Sequence, residues 1–131
     1  MDIKEQLNRV LVPVLLGDGV QPIKIARRLY RSYGVLSHIY CSRPAFLAHF
    51  CACVRIVRTP AFLQGELLCN DLRAFATEYP DLLFCLIPCT EDCKIFCAAH
   101  ATELEAYYVI VQPEQLQIDA LPYLTKEELP I

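Results

Sequence analysis

The sequence predicts an α/β fold with an open, mostly parallel five-stranded sheet and helices on both faces. Short apolar runs alternate with helical patterns along the chain, an order that is typical of parallel sheets. The run Leu82–Pro88, LLFCLIP, is continuously apolar, as expected of a central strand that is buried on both faces. The 131 residues are 55% hydrophobic, which suits one domain with such a sheet.

The first half of the chain predicts three strands. Val10–Leu16, VLVPVLL, is the first, although its proline indicates an irregular or edge position. Val35–Cys41 is the second, and Cys53–Arg58, CVRIVR, is the third because apolar and polar residues alternate along it. Ala45–Phe50, between the last two, is ambiguous, and a short helix is one interpretation.

A helix follows the first strand, in the segment PIKIARRLYRSYG. Pro22 suits the first helical turn and Gly34 suits the position just past the end. One face of this helix is basic and carries Lys24, Arg27, Arg28 and Arg31. The chain up to Pro60 has nine Lys/Arg against three Asp/Glu, whereas the remainder has three against twelve. A basic half can mark an anion site, but solvated helix faces of different sign explain it equally well.

The second half continues the alternation of helices and strands. Leu63–Tyr79 is predicted as a long helix, and a second helix begins at Thr90 after the apolar run described above. Tyr107–Val111 is the fifth strand, and a further helical region starts at Pro113. The carboxyl ends of all the strands should therefore lie along one edge of the sheet, where ligands bind in such folds.

The chain contains eight cysteines but no pattern of a secreted protein. Its first residues, MDIKEQLNRV, mix acids with bases and resemble neither a signal peptide nor a transit peptide. No apolar stretch approaches the roughly 18 residues that are needed to span a bilayer. We therefore expect a cytoplasmic protein whose cysteines are free thiols packed as small hydrophobic side chains.

A metal site is the alternative for the segment FCLIPCTEDCKIFCAAH. Cys85, Cys89, Cys93 and Cys97 are spaced four apart and His100 follows, whereas structural zinc ligands usually come in two separated pairs. Cys89, Cys93 and Cys97 could approach one ligand together, but Cys93 and Cys97 share the helix face expected to contact the sheet. We predict no metal site here. We also predict no catalytic cysteine, because the sequence fixes no base near any thiol.

The loop GDGVQP after the first strand is the place where a phosphate or carboxylate would meet helix amides. As a dinucleotide motif it is incomplete, because Pro22 replaces the third glycine and no acidic residue stands about 20 residues further on. A small dehydrogenase is thus disfavoured, and the absence of a Walker sequence excludes ATP binding through a P-loop. Asp18 would repel a phosphate unless it points away or makes another contact. The loops predicted to bind a ligand are Gly17–Gln21, Cys41–Phe46 and Pro88–Asp92.

Three segments resemble a known family. VPVLLGDGVQPIKIARRLYRSYGVLSHIYC, YPDLLFCLIPCTEDC and ELEAYYVIVQPEQL are similar to the N-terminal domain of ATP-grasp carboxylate–amine ligases, including the D-aspartate ligase type. The resemblance covers nearly the whole chain. It implies a Rossmann-like, pre-ATP-grasp domain that forms part of a substrate cleft, while later domains hold ATP and magnesium. The implied reaction is phosphorylation of a carboxylate by ATP, followed by attack of an amine on the acyl phosphate.

The resemblance also implies which residues face the substrate cleft. They are Gly17, Asp18, Gly19, Ser42, Arg43, Pro88, Thr90, Glu91 and Asp92. Arg43 is the best candidate to bind a substrate carboxylate, because a guanidinium can donate two parallel hydrogen bonds; a solvated turn arginine is the simpler interpretation. Asp92 could instead only cap its helix. No residue is predicted to be catalytic. The family often has a small polar pair in place of DG and an aromatic residue in place of Cys93.

The expected organisation is one domain over residues 1–131, whose residues from about 120 begin a linker or helix towards an ATP-grasp domain. Thr125 and Glu128 have the spacing of a capping box there. Alone, the chain should bind neither ATP nor magnesium and should not catalyse ligation. Expected partners are that domain in cis and a small carboxylate or amine, with no nucleic acid and no membrane; a homodimer stays open. The alternative function is a stand-alone regulatory module that binds a nucleotide or metabolite.

Overall fold

Five parallel strands form one open sheet in the computed structural model, which describes residues 9–44, 51–59 and 62–116. The strand order is β3-β2-β1-β4-β5, and every neighbouring pair is parallel. In chain order the elements are β1 (Leu11–Leu16), α1 (Gln21–Tyr33), β2 (Ser37–Cys41), β3 (Val54–Arg58), α2 (Gly65–Glu78), β4 (Leu83–Pro88), α3 (Glu91–Ala99), α4 (Ala101–Leu104) and β5 (Val109–Ile110).

Helices cover both faces of the sheet, because successive side chains of a strand point to opposite faces. Leu15 faces α1 in a core that includes Ile25 and Leu29. Val14 and Leu16, on either side of Leu15, belong to the other core, which is filled by residues of α2 and α3. The α/β fold class predicted from the sequence is therefore confirmed, with a sheet that is parallel throughout. None of the described helices is long and apolar enough to cross a membrane.

The structure places β1 at the centre of the sheet, contrary to the edge position that its proline indicated. Pro13 is paired with Cys85 of β4, whereas the ladder to β2 begins only at Val14. Because β1 has one partner strand at Pro13, the missing N–H does not interrupt a second ladder. Gly34 ends α1 as predicted: its φ is +69° and its N–H donates to the Tyr30 carbonyl.

Several boundaries differ from the predicted ones. The fifth strand contains only Val109 and Ile110, since Tyr107 lies in a turn and Tyr108 precedes the strand. Tyr108 instead turns inward and donates a hydrogen bond of 2.7 Å to the Leu72 carbonyl of α2. The predicted short helix Ala45–Phe50 and the predicted linker at 120–131 lie outside the described residues.

Truncation of a leucine in α2 should measure how much the core of the sheet depends on this helix. Leu72 is fully buried, so Leu72→Ala should lower the free energy of unfolding by about 2–5 kcal/mol. Leu67, on the same helix, is 54% exposed, so Leu67→Ala is the matched control and should change it by less than about 1 kcal/mol. Urea unfolding followed by circular dichroism measures both. Equal losses in the two variants would contradict this assignment of the helix faces.

The pH dependence of stability should reflect His38 of β2. Its ring packs on Phe75 with centroids 5.0 Å apart, and burial, with a smaller contribution from Arg55, lowers its pKa below 6.5. Below about pH 6.5 the unfolded chain therefore binds a proton that the folded chain does not. The stability contributed by neutral His38 is present above that pH and is lost as the pH falls below it. In urea unfolding at about pH 7.5 and pH 5.5, His38→Phe should show a smaller decrease than the parent protein; equal decreases would exclude His38 as the cause.

Candidate functional site

The switch in strand order lies between β1 and β4, because the chain runs outward to β3 before it returns to form β4. Ligands of open α/β sheets bind at such a point, outside the carboxyl ends of the strands. The loop after β1 contains Gly17, Asp18 and Gly19, and the loop after β4 contains Cys89 and Thr90. The topology therefore brings together two of the three loops that the sequence predicted.

Gly17 closes the space between these two loops. A Cβ at this position would lie 3.2 Å from the Cys89 Cβ, 3.2 Å from the Pro22 Cγ and 3.3 Å from the Thr90 Cγ2. Its N–H donates to the Tyr40 carbonyl of β2. Gly17 is needed for close packing of the loops and leaves no room for a ligand beside its Cα.

Gly19 has the opposite surroundings. Its φ is +84°, a conformation that side chains rarely adopt, and a Cβ built on it would meet no atom within 4 Å. The residue is exposed and lies two positions before α1, separated from it by Val20. The accessible part of the glycine loop is therefore at Gly19, where backbone can approach a ligand closely.

Asp18 fastens the glycine loop to the loop after β2. Its Oδ1 accepts hydrogen bonds from the backbone N–H of Ser42 (2.9 Å) and of Arg43 (3.0 Å), and its Oδ2 accepts from the Ser42 hydroxyl (2.8 Å). Gly19 also forms an isolated parallel bridge with Pro44. We call Asp18, Ser42 and Arg43 the Asp18 clamp. The clamp makes one continuous edge of the loops that follow β1 and β2.

The electrostatics of Asp18 agree with this role. Partial burial opposes its ionisation, but the hydrogen bonds from Arg43 and Ser42 outweigh burial and lower its pKa below 3.8. The carboxylate is thus charged at neutral pH and is directed at backbone and hydroxyl donors. From the sequence, Asp18 was expected to repel a phosphate unless it pointed away or made another contact. The clamp is such a contact. The Arg43 backbone is fixed by the clamp, while its side chain is exposed.

The first turns of α1 and α3 have opposite character. The first turn of α1 has no acidic residue and no side-chain cap. Pro22 has no N–H and the Lys24 N–H donates to the Val20 carbonyl, so the N–H groups of Gln21 and Ile23 carry the partial positive charge that suits an anion. Thr90 caps α3, because its Oγ1 accepts a hydrogen bond from the Cys93 N–H, and the first turn of α3 carries the exposed carboxylates of Glu91 and Asp92. The edge therefore has an anion-binding part at α1 and an acidic part at α3.

Two residues near this edge have roles that the sequence did not indicate. Pro88, predicted in the cleft, is fully buried in β4 opposite Leu16, so its side chain does not reach a ligand. Thr59 follows β3, and its hydroxyl lies 3.2 Å from the Asp71 carboxylate of α2. The sequence carries no signal for this contact, because Thr59 and Asp71 have no motif in common.

The regularly spaced cysteines are divided between the two faces of the sheet. Cys85 and Cys89 lie in the core that is covered by α1. Cys93 and Cys97 lie in the core formed with α2 and α3, which agrees with the prediction that they share the sheet-facing side of their helix. Burial raises the pKa of Cys97 to about 12 and that of Cys85 to about 11. These thiols stay protonated near neutral pH and are poor nucleophiles. His100 instead lies with Cys69 and Glu103, a group that the sequence did not indicate.

Removal of the Asp18 carboxylate should separate the two loops. Asp18→Ala loses three hydrogen bonds to a charged acceptor and should lower the free energy of unfolding by about 1–2 kcal/mol at pH 7. Because folding lowers the pKa of Asp18, its contribution is present above about pH 3.8 and is lost as the pH falls further. Asp81→Asn, in an exposed turn, is the control. Unfolding at pH 7 and at about pH 3 measures the difference, and an equal loss at both would contradict the clamp.

Comparison with known proteins identifies no family for this chain. No protein-family model, no curated protein and no solved structure matches the chain. A function can therefore be inferred only from the residues and from the arrangement of the carboxyl edge.

Proposed function

We propose that this chain is the substrate-side domain of an ATP-dependent carboxylate–amine ligase, of the type that precedes an ATP-grasp domain. In this role it positions a small carboxylate or amine substrate and does not catalyse the reaction alone. The observation that carries the proposal is the charge arrangement at the carboxyl edge. An acid-free helix start and Arg43 suit a carboxylate, and Glu91 and Asp92 suit an ammonium group.

The anion-binding part has two kinds of donor. The uncapped N–H groups at the start of α1 lie beside the open backbone of Gly19, and the Asp18 clamp fixes the backbone of Arg43 in the adjoining loop. Backbone amides are fixed donors, so little entropy is lost when they bind a ligand. The guanidinium adds a charge and can bind a carboxylate through two hydrogen bonds.

At Gly17 and Asp18 the glycine loop offers no place for the phosphates and magnesium of ATP. Gly17 is closed by Cys89 and Thr90, and Asp18 is engaged by the clamp, so neither residue is free to meet a phosphate or a magnesium ion. The ATP and magnesium of the proposed ligase would bind to another domain. No step of the phosphoryl transfer is therefore assigned to residues of this chain.

A stand-alone regulatory module is the second candidate. The observation that favours it is that loops of one domain form both the anion-binding part and the acidic part of the edge. A nucleotide or metabolite with both charges could bind there without a second domain.

Ligand titrations of the isotopically labelled chain should distinguish the two functions. With D-aspartate as the probe, backbone amide signals of Gly19, Gln21 and Arg43 should shift at millimolar concentrations, whereas ATP with magnesium should leave them unchanged. Arg43→Ala should weaken D-aspartate binding about tenfold or more, since a hydrogen bond to a charged group contributes about 1.5–3 kcal/mol. Arg55→Ala, an exposed arginine of β3, is the control and should bind as the parent does.

The outcomes separate the hypotheses clearly. Tight binding of ATP, in the micromolar range, would favour the stand-alone module and overturn the ligase domain. D-Aspartate, other small amino acids and nucleotides should all be tested. If none of them shifts the amide signals of Gly19 or Arg43, the carboxyl edge is not a ligand site and both functions fail.

A further inference from the structure

We propose that Cys69, His100 and Glu103 bind one zinc ion, which joins α2 to the junction of α3 and α4. One ligand atom of each residue, the Cys69 Sγ, an imidazole nitrogen and a carboxylate oxygen, lies within 4.8 Å of the other two. Cys69 comes from α2, while His100 and Glu103 are three residues apart and lie on one side of a helical turn. This group is separate from the carboxyl edge and does not depend on the proposed function.

A small movement of the three side chains would bring their ligand atoms to the separations found in a zinc site. Zinc binds sulfur at about 2.3 Å and nitrogen or oxygen at about 2.0–2.2 Å, so its tetrahedral ligands lie about 3.3–3.8 Å apart. The three side chains therefore need to approach one another by at most about 1–1.5 Å. Glu103 is exposed and His100 is half-buried, so both can make this movement while the buried Cys69 stays in place.

The His100 ring has neighbours on α3 and on α2. The ring contacts Phe96 of α3, with centroids 4.9 Å apart. Gly65, at the start of α2, is also near, since a Cβ added there would be 3.9 Å from the His100 Nε2. The imidazole therefore lies close to α2, the helix that carries Cys69.

The charges of the three ligands balance those of the ion. A thiolate, a carboxylate and a neutral imidazole together carry two negative charges, so the zinc complex is neutral. Without metal the Cys69 thiol lies beside the Glu103 carboxylate. Zinc takes the place of the thiol proton: a Zn–S bond forms, the S–H bond breaks, and one proton leaves to solvent. Affinity should consequently increase with pH.

A cavity of about 220 Å³ lies beside Cys69 and Glu103 and leaves room for a fourth ligand, such as water. Arg73 also lines this cavity, and its positive charge, which the hydrogen bond of 2.7 Å to the neutral Asn70 amide does not remove, disfavours a cation. Glu66 and Glu103 are the negative charges that act on Cys69. Two acids against one arginine leave the surroundings negative before the metal binds, which favours a cation.

The ligand types select zinc among the common ions. Magnesium and calcium require oxygen ligands, and within this group of three side chains only Glu103 supplies oxygen. Sulfur, nitrogen and oxygen together are typical of Zn²⁺, and Co²⁺ occupies such sites with a visible spectrum. Because the ligands come from two separate helices, bound zinc should stabilise the folded chain in proportion to its occupancy.

Titration of the reduced, chelator-treated protein with Co²⁺ and with Zn²⁺ tests the site. We expect one equivalent of Co²⁺ to produce a sulfur-to-metal charge-transfer band, which Zn²⁺ then displaces. Cys69→Ser should lose this band, and His100→Gln and Glu103→Gln should each weaken binding about tenfold or more. Zinc should raise the melting temperature of the parent protein and have little effect on His100→Gln. Cys51→Ser and Glu105→Gln, outside the group, are the matched controls.

Each alternative result would overturn the proposal. It fails if the parent protein gives no charge-transfer band, if the band survives in Cys69→Ser, or if it disappears in Cys51→Ser. Should Cys69→Ser fail to fold, His100→Gln and Glu103→Gln decide, because they change less buried side chains. Unchanged metal affinity in both of these variants would exclude the site.

Discussion

The parallel pairing of β1 with β4 is the interaction on which the rest of the structure depends. All six residues of β1 pair with all six residues of β4, and the side chains in the second half of each strand are buried. This pairing separates the chain into a β1–β2–β3 part and a β4–β5 part, and so creates the switch in strand order. It also brings Gly17 against Cys89 and Thr90, which fixes where the carboxyl edge is closed and where it stays open.

The polar contacts at the carboxyl edge follow from that arrangement. Once β1 lies beside β2, Asp18 can reach the two backbone N–H groups and the hydroxyl that follow β2. The cost of burying part of a carboxylate is offset by these three donors, and the result is a hydrogen-bonded connection between two loops. The charge pattern of the edge then depends on the first turns of two helices, one free of acids and one rich in them.

The group of Cys69, His100 and Glu103 has a different origin, since it depends on helix packing and not on strand pairing. α2 and the α3–α4 junction both cover the same face of the sheet, which places a thiol of one helix next to an imidazole and a carboxylate of the other segment. The fold thus carries two polar centres with separate structural causes. One combines an acid-free helix start with an acidic one, and the other groups a thiol, an imidazole and a carboxylate.

The sequence alone determined the order and type of the elements, because the apolar periods of strands and the proline and glycine at the ends of α1 are local properties. It also determined which loops follow the strands, and hence that Gly19 and Arg43 share an edge. It could not determine that β1 is central despite Pro13, because the start of the β2 ladder at Val14 depends on register. Nor could it identify the partners of Asp18 or the approach of Cys69 to His100. Those contacts join residues far apart in the chain, and they exist only because sheet pairing and helix packing, which no local pattern encodes, bring the segments together.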